Sequence, residues 1–203
     1  TTNGCFRFAP PFLASISNDF NISLSRLGLA LMFTEITMAI APILGSYVDR
    51  VHRRTAMAGG LIGLSGATAL AAASPSLWVF MIGILLLGIC KFIFDMGLTA
   101  WVNDHVDYER RGRVIGLTET SWALGLLIGV TLMGLVASAT SWRWGYAAGA
   151  LSVALMAVLV ATRLDGHDVV GSQRIQQTQK HPMPARGFWI VGAMFFLMAA
   201  SQT

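Results

Sequence analysis

The chain has 203 residues, of which 55% are hydrophobic and only 12% charged, with a formal net charge of +4. A soluble domain carries about twice that charged fraction, so a water-soluble globule is excluded. The basic residues sit in short polar stretches and form no continuous face for nucleic acid.

Seven apolar segments follow one another, at about residues 5–17, 27–48, 55–73, 77–101, 114–137, 144–162 and from 187 onward. About 20 apolar residues cross a bilayer as a helix, and the alternating pattern of a barrel strand is absent. The spans are therefore expected to be α-helical, since helices satisfy their own backbone in hydrocarbon. The first segment is too short to span and the last stops without a polar terminus, so both are expected to be cut by the ends of the fragment. The first residues lack the basic-then-apolar pattern of a cleavable signal peptide.

In the first segment Arg7 shares a helical face with Pro10, Pro11, Ala14 and Asn18. The second carries Glu35 in mid-span, with no basic residue three or four positions away and with Ala39, Pro42 and Ser46 continuing its face. A buried, isolated carboxylate takes up a proton more readily than one in water, which makes Glu35 a proton-coupling candidate. Arg7 is either its partner or a site for an anionic substrate. Residues 45–54 (GSYVDRVHRR) then form a charged turn in water.

The third segment is free of interior charge. In the fourth, Gly88, Lys91, Asp95 and Thr99 share one face, and Lys91 and Asp95 are spaced to pair. Asp95 and Glu119, in the fifth segment, lie at similar depth. Together with Lys91 they form either a proton- or cation-handling group or a salt bridge locking two helices. The fifth segment also carries Gly116, Gly125, Gly129 and Gly134, small residues that let helices approach. Asp104, Asp107 and Glu109 are interleaved with arginines and are expected to be solvated loop charges. The sixth segment again lacks interior charge. A polar stretch at 163–186 with Pro182 and Pro184 reads as a linker.

Charge asymmetry sets the expected topology. Arg50, Arg53, Arg54, Arg110, Arg111, Arg113, Arg163, Arg174, Lys180 and Arg186 fall on one side, against Arg26 and Arg143 on the other. By the positive-inside rule the first set is cytoplasmic, and so is the N-terminus. Trp78, Trp142, Trp144 and Tyr146 are then expected at the outer interface, with Trp101 and Trp189 at the inner one. The loop bases can also contact anionic membrane lipids.

Gly45, Asp49, Arg50, Arg53 and Arg54 match the loop between the second and third helices of the major facilitator superfamily. The chain is identified as resembling that superfamily over nearly its whole length. His52 stands where the family has a second glycine. The resemblance implies that Asp49 and the loop bases act as a gate at the cytoplasmic face. The spacing of Gly116, Gly125, Gly129 and Gly134 resembles the antiporter signature, though Val130 and Met133 replace its proline and one of its final glycines. Residues 107–116 and 141–146 (SWRWGY) resemble further family loops.

The resemblance implies an all-α, polytopic transmembrane bundle. Residues 1–162 would be a six-helix half with a truncated first helix, 163–186 a cytoplasmic linker, and 187–203 the start of the seventh helix. It implies a secondary transporter of the bacterial cytoplasmic membrane, moving a small molecule by alternating access, with proton-coupled efflux by antiport expected. Its partners would be substrate, protons, lipids and the C-terminal half of the same protein. A symporter or uniporter, a membrane-embedded lipid-modifying enzyme and a non-transporting receptor remain alternatives. No cofactor is expected. His52, His105, His167 and His181 lie in loops without the spacing of a metal site, and no phosphate-cradling loop is present.

Overall fold

The computed structural model describes residues 2–34, 45, 48 and 51–163. Regular structure among them is entirely helical: α1 (Thr2–Phe6), a 3-10 turn (Pro10–Phe12), α2 (Leu13–Asp19), α3 (Leu24–Thr34), α4 (Arg53–Ala72), α5 (Leu77–His105), α6 (Tyr108–Ala139) and α7 (Trp142–Arg163). The all-α membrane fold read from the sequence holds, since α4, α5, α6 and α7 are each long and apolar enough to cross a bilayer. The stretch beyond Arg163 expected to be a linker, and the seventh segment, lie outside the described residues.

The first segment differs from expectation. It breaks after Phe6 and resumes at Leu13, with the 3-10 turn between. Adjacent prolines explain this, because each lacks an amide hydrogen and its ring clashes with the preceding turn. The continuous face from Arg7 to Asn18 is therefore interrupted.

Helices α5 and α6 run further than their apolar cores. Their 29 and 32 residues give lengths of roughly 43 and 48 Å, beyond a hydrocarbon layer of about 30 Å. The residues expected as a loop at 103–113 are mostly helical, and Val106 and Asp107 alone separate the two helices.

Helix α4 is the centre of the packing, lying against α5 on one side and α7 on another, while α6 rests on α7 and α1. Close approach follows from glycine. A Cβ at Gly60 would lie 2.9 Å from the Phe94 amide nitrogen, and one at Gly83 would lie 3.0 Å from the Ala71 nitrogen. In lipid such contacts hold helices together where the hydrophobic effect does not.

One aromatic cluster joins the first, fourth and sixth spans. Phe8 meets Tyr146 edge-on at 4.8 Å, and Phe80 meets Trp142 at 5.4 Å. Trp142 and Tyr146 are buried core residues, whereas Trp78 and Trp144 are exposed. The expected aromatic belt therefore splits: two of its members pack inward because Phe8, Phe20 and Phe80 arrive from other spans to meet them.

Candidate functional site

Lys91 stands at the midpoint of α5, fourteen residues from either end (77 to 91 and 91 to 105). The apolar stretch of the span ends at about residue 101, so roughly 15 Å of helix separates Lys91 from its nearer end, further than a lysine side chain reaches, and its charge must be met locally. Three groups meet it. Asp95, one turn on, accepts a hydrogen bond at 2.5 Å from Nζ to Oδ2. The Trp122 ring from α6 lies 4.4 Å from Nζ, and the Phe6 ring from α1 lies 5.8 Å away. Ring faces attract an ammonium through their quadrupole, so three separate spans converge on one cation.

Asp95 uses one oxygen for this pair. Its Oδ1 is buried and has no hydrogen-bond partner among the described residues. Thr99, on the same face, donates its hydroxyl to the Asp95 carbonyl at 2.9 Å. Glu119 lies close enough to Asp95 for their charges to interact, and its own side chain is exposed on α6. The structure thus pairs Lys91 with Asp95, with Glu119 in electrostatic range of the pair. Arg7 stands 5.5 Å from the Phe6 ring, at the edge of this group. Glu35 lies outside the described residues.

Sequence reasoning missed Trp122 and Phe6. A signal existed for the first, since a tryptophan in the middle of a span departs from the belts that tryptophan favours.

The charged loop is partly described. Gly45 lies beside Met96, where a Cβ would make ordinary contact at 3.5 Å. Asp49 and Arg50 lie outside the described residues. Arg53 is buried; its Nε donates to Asp104 Oδ2 at 3.2 Å and its Nη1 to the Val48 carbonyl at 3.0 Å. Asp104 is therefore a helix-end partner for Arg53, not the solvated charge expected of it. Arg54 donates to the Ala161 carbonyl near the end of α7, where a cation offsets unpaired carbonyls. His52 precedes α4 with φ −57° and ψ 134°, a conformation open to any residue. The histidine in place of the family's glycine thus strains nothing.

On the opposite face Arg143 does similar work unforeseen from sequence. Its Nη1 donates to the Ala72 carbonyl at 3.2 Å and to the Ser74 carbonyl at 2.5 Å, and its Nη2 pairs with Asp19 at 2.8 Å. The α6 glycines divide. Gly129 packs closely against α1, where a Cβ added at Gly4 would lie 3.3 Å from the Gly129 backbone. Gly134 faces Phe12, and Gly116 faces open space. Gly125 and Gly129 line an apolar groove of about 430 Å³ between α6 and α7.

Residues 2–203 match the family model of the Major Facilitator Superfamily. The chain belongs to that superfamily. It is 30% identical to the uncharacterized MFS-type transporter YwfA of Bacillus subtilis over 67% of this chain and 33% of the relative. It is 28% identical to the class C tetracycline resistance protein of Escherichia coli, over 88% of this chain and 43% of that protein. It is 27% identical to a probable multidrug-efflux transporter of Mycobacterium tuberculosis, over 77% and 33% respectively. The chain thus spans about a third to two fifths of the relatives it matches. In this superfamily chain the Lys91 cluster lies at the middle of α5, and Arg53 and Arg143 bond at helix ends.

Proposed function

We propose that this chain forms one half of a secondary transporter that exports a small molecule by alternating access, in exchange for protons. The observation that carries the reading is the ion pair of buried Lys91 with half-buried Asp95 at the middle of a span, in a chain of a transporter superfamily. Charge in mid-membrane marks a pathway or a partner, and secondary transporters bind near the midplane between two helical repeats. The names of the tetracycline-resistance and multidrug-efflux relatives support export.

In this reading residues 1–162 are the N-terminal bundle, 163–186 a cytoplasmic linker, and 187–203 the start of the second bundle. The N-terminus and the Arg53 face lie in the cytoplasm of a bacterial cell. Glu35 is the first proton-carrying group, followed by Asp95 and Glu119, and Arg7 borders the same cavity. Gly45, Asp49, Arg50, Arg53 and Arg54 close the cytoplasmic side in one conformation. Membrane lipids surround the bundle.

Sealed vesicles carrying the full-length protein test this. Adding a transported compound should move protons the opposite way, and Glu35→Gln should abolish that movement while folded protein stays in the membrane. Transport indifferent to an imposed pH gradient would remove proton coupling. Product formation in detergent, with a divalent-ion requirement and no gradient, would replace the transporter with a membrane enzyme.

A further inference from the structure

We propose that Phe6, Trp122 and Asp95 form a receptor for a monovalent organic cation of the alkylammonium class, with the Lys91 ammonium as its tethered occupant. The inference rests on the transport reading for what the site serves, and on geometry for what it binds.

An ordinary intrahelical salt bridge needs only the carboxylate. Here the ammonium also lies 4.4 Å from one ring and 5.8 Å from another, contributed by two other spans. Aromatic faces set around a cation, with a carboxylate to balance it, are the chemistry that recognises alkylated ammonium groups. The receptor is not filled by its lysine. Asp95 Oδ1 remains buried without a partner among the described residues, and a buried acceptor left unpaired is costly. Glu119 adds a second carboxylate within electrostatic range, exposed on α6 and three residues before Trp122. An incoming cation would meet Glu119 first and Asp95 next.

The tether solves a problem that mid-membrane binding sites share. An empty anionic site in a low-dielectric layer carries an uncompensated charge. Lys91 supplies the countercharge when no substrate is present; when one arrives the ammonium turns to Glu119, the second carboxylate within range, so that neither cation is left unpaired. Asp95 is then paired in both states, and the lysine and the substrate compete.

Equilibrium binding to the full-length protein in detergent tests this, with benzyltrimethylammonium as the cation and benzenesulfonate as an anion of similar size. The unaltered protein should bind the cation and not the sulfonate. Lys91→Gln keeps a hydrogen-bond donor for Asp95 but removes the competing charge, and should raise cation affinity about tenfold, as freeing a nine-tenths-occupied site does. Asp95→Asn should abolish cation binding, and Trp122→Leu should weaken it about fivefold.

Sulfonate binding that disappears in Lys91→Gln would make Lys91 an anion site and overturn the proposal. So would cation affinity that is unchanged or reduced in Lys91→Gln. The preference of the unaltered protein needs no variant, so a substitution that prevents folding leaves the proposal open to refutation. Cation binding without proton-coupled movement in vesicles would remove the transport reading and leave this site standing. Transport without cation binding would do the reverse.

Discussion

Helices α4 and α5 on one hand and α6 on the other are comparably apolar and comparably suited to crossing a bilayer, yet 44% and 39% of the first two spans is buried against 11% of the third. Apolar content therefore does not decide which helix packs. In lipid a leucine gains nothing by leaving the acyl chains for another leucine. Close backbone approach does decide it. Gly60 and Gly63 on α4 and Gly83 and Gly97 on α5 each face a neighbour that a Cβ would crowd to 3.0 Å or less. Along α6, Gly112 and Gly116 meet nothing within 4 Å, while Leu117, Leu127, Leu132 and Leu135 stand exposed.

The sharpest way to break this contrast is Gly60→Leu. A Cβ alone at that position would lie 2.9 Å from the Phe94 nitrogen and 3.1 Å from the Cys90 carbonyl oxygen. Both are backbone atoms, so relief requires the two helices to separate. The expected loss is about 3 kcal/mol or more, at the upper end of overpacking effects. Thermal unfolding in detergent and the folded fraction on size exclusion read it. An unchanged melting temperature would show that glycine contact does not hold α4 to α5.

This also marks what the sequence could and could not reveal. The spans from α4 to α7 were legible because twenty apolar residues admit few other readings. Their ends ran longer than expected because residues 103–113 are mostly polar and yet mostly helical, and hydropathy alone cannot tell a solvated helix end from a loop. The Lys91–Asp95 pair was legible because both partners lie on one helix, four residues apart. Trp122 and Phe6 were not, since which rings face Lys91 depends on how α6 and α1 are rotated against α5. The same limit hid Arg143, whose carbonyl partners on Ala72 and Ser74 are about seventy residues away. The break in the first segment was written in Pro10 and Pro11, but the need of a span to satisfy its own backbone pointed to helix throughout.

Arg143 and Arg53 sharpen the comparison at the helix ends. Arg143→Ala leaves the Ala72 and Ser74 carbonyls without their donor, and the expected loss is about 2 kcal/mol. Little of it should come from Asp19, whose side chain is 43% exposed, because solvent screens such a pair. Asp19→Ala should therefore cost about 0.5 kcal/mol at most, and Arg143→Lys should recover only part of the loss, since an ammonium lacks the fork that serves several acceptors. On the other face, Arg53 and Asp104 are 6% and 17% exposed at the side chain. A double-mutant cycle with alanine should give a coupling of about 1 kcal/mol, smaller than the Arg143 effect because the Arg53 bond to Val48 cancels and only the pair with Asp104 is read. Zero coupling would reduce the Arg53 contact to coincidence of position.

The smallest expected effect tests the open side of the comparison. Gly116→Leu places a side chain where no atom lies within 4 Å, in a helix for which leucine is the better former. Stability should be unchanged or raised by up to about 1 kcal/mol. If the exposed row on α6 is where the second bundle rocks against this one, the same substitution should slow substrate movement in vesicles by the full-length protein without lowering its melting temperature. Lipid exposure alone would leave both measurements unchanged. A fall in melting temperature like that of Gly60→Leu would mean that α6 is packed there as tightly as α4 and α5 are, and the distinction between the two regions would fail.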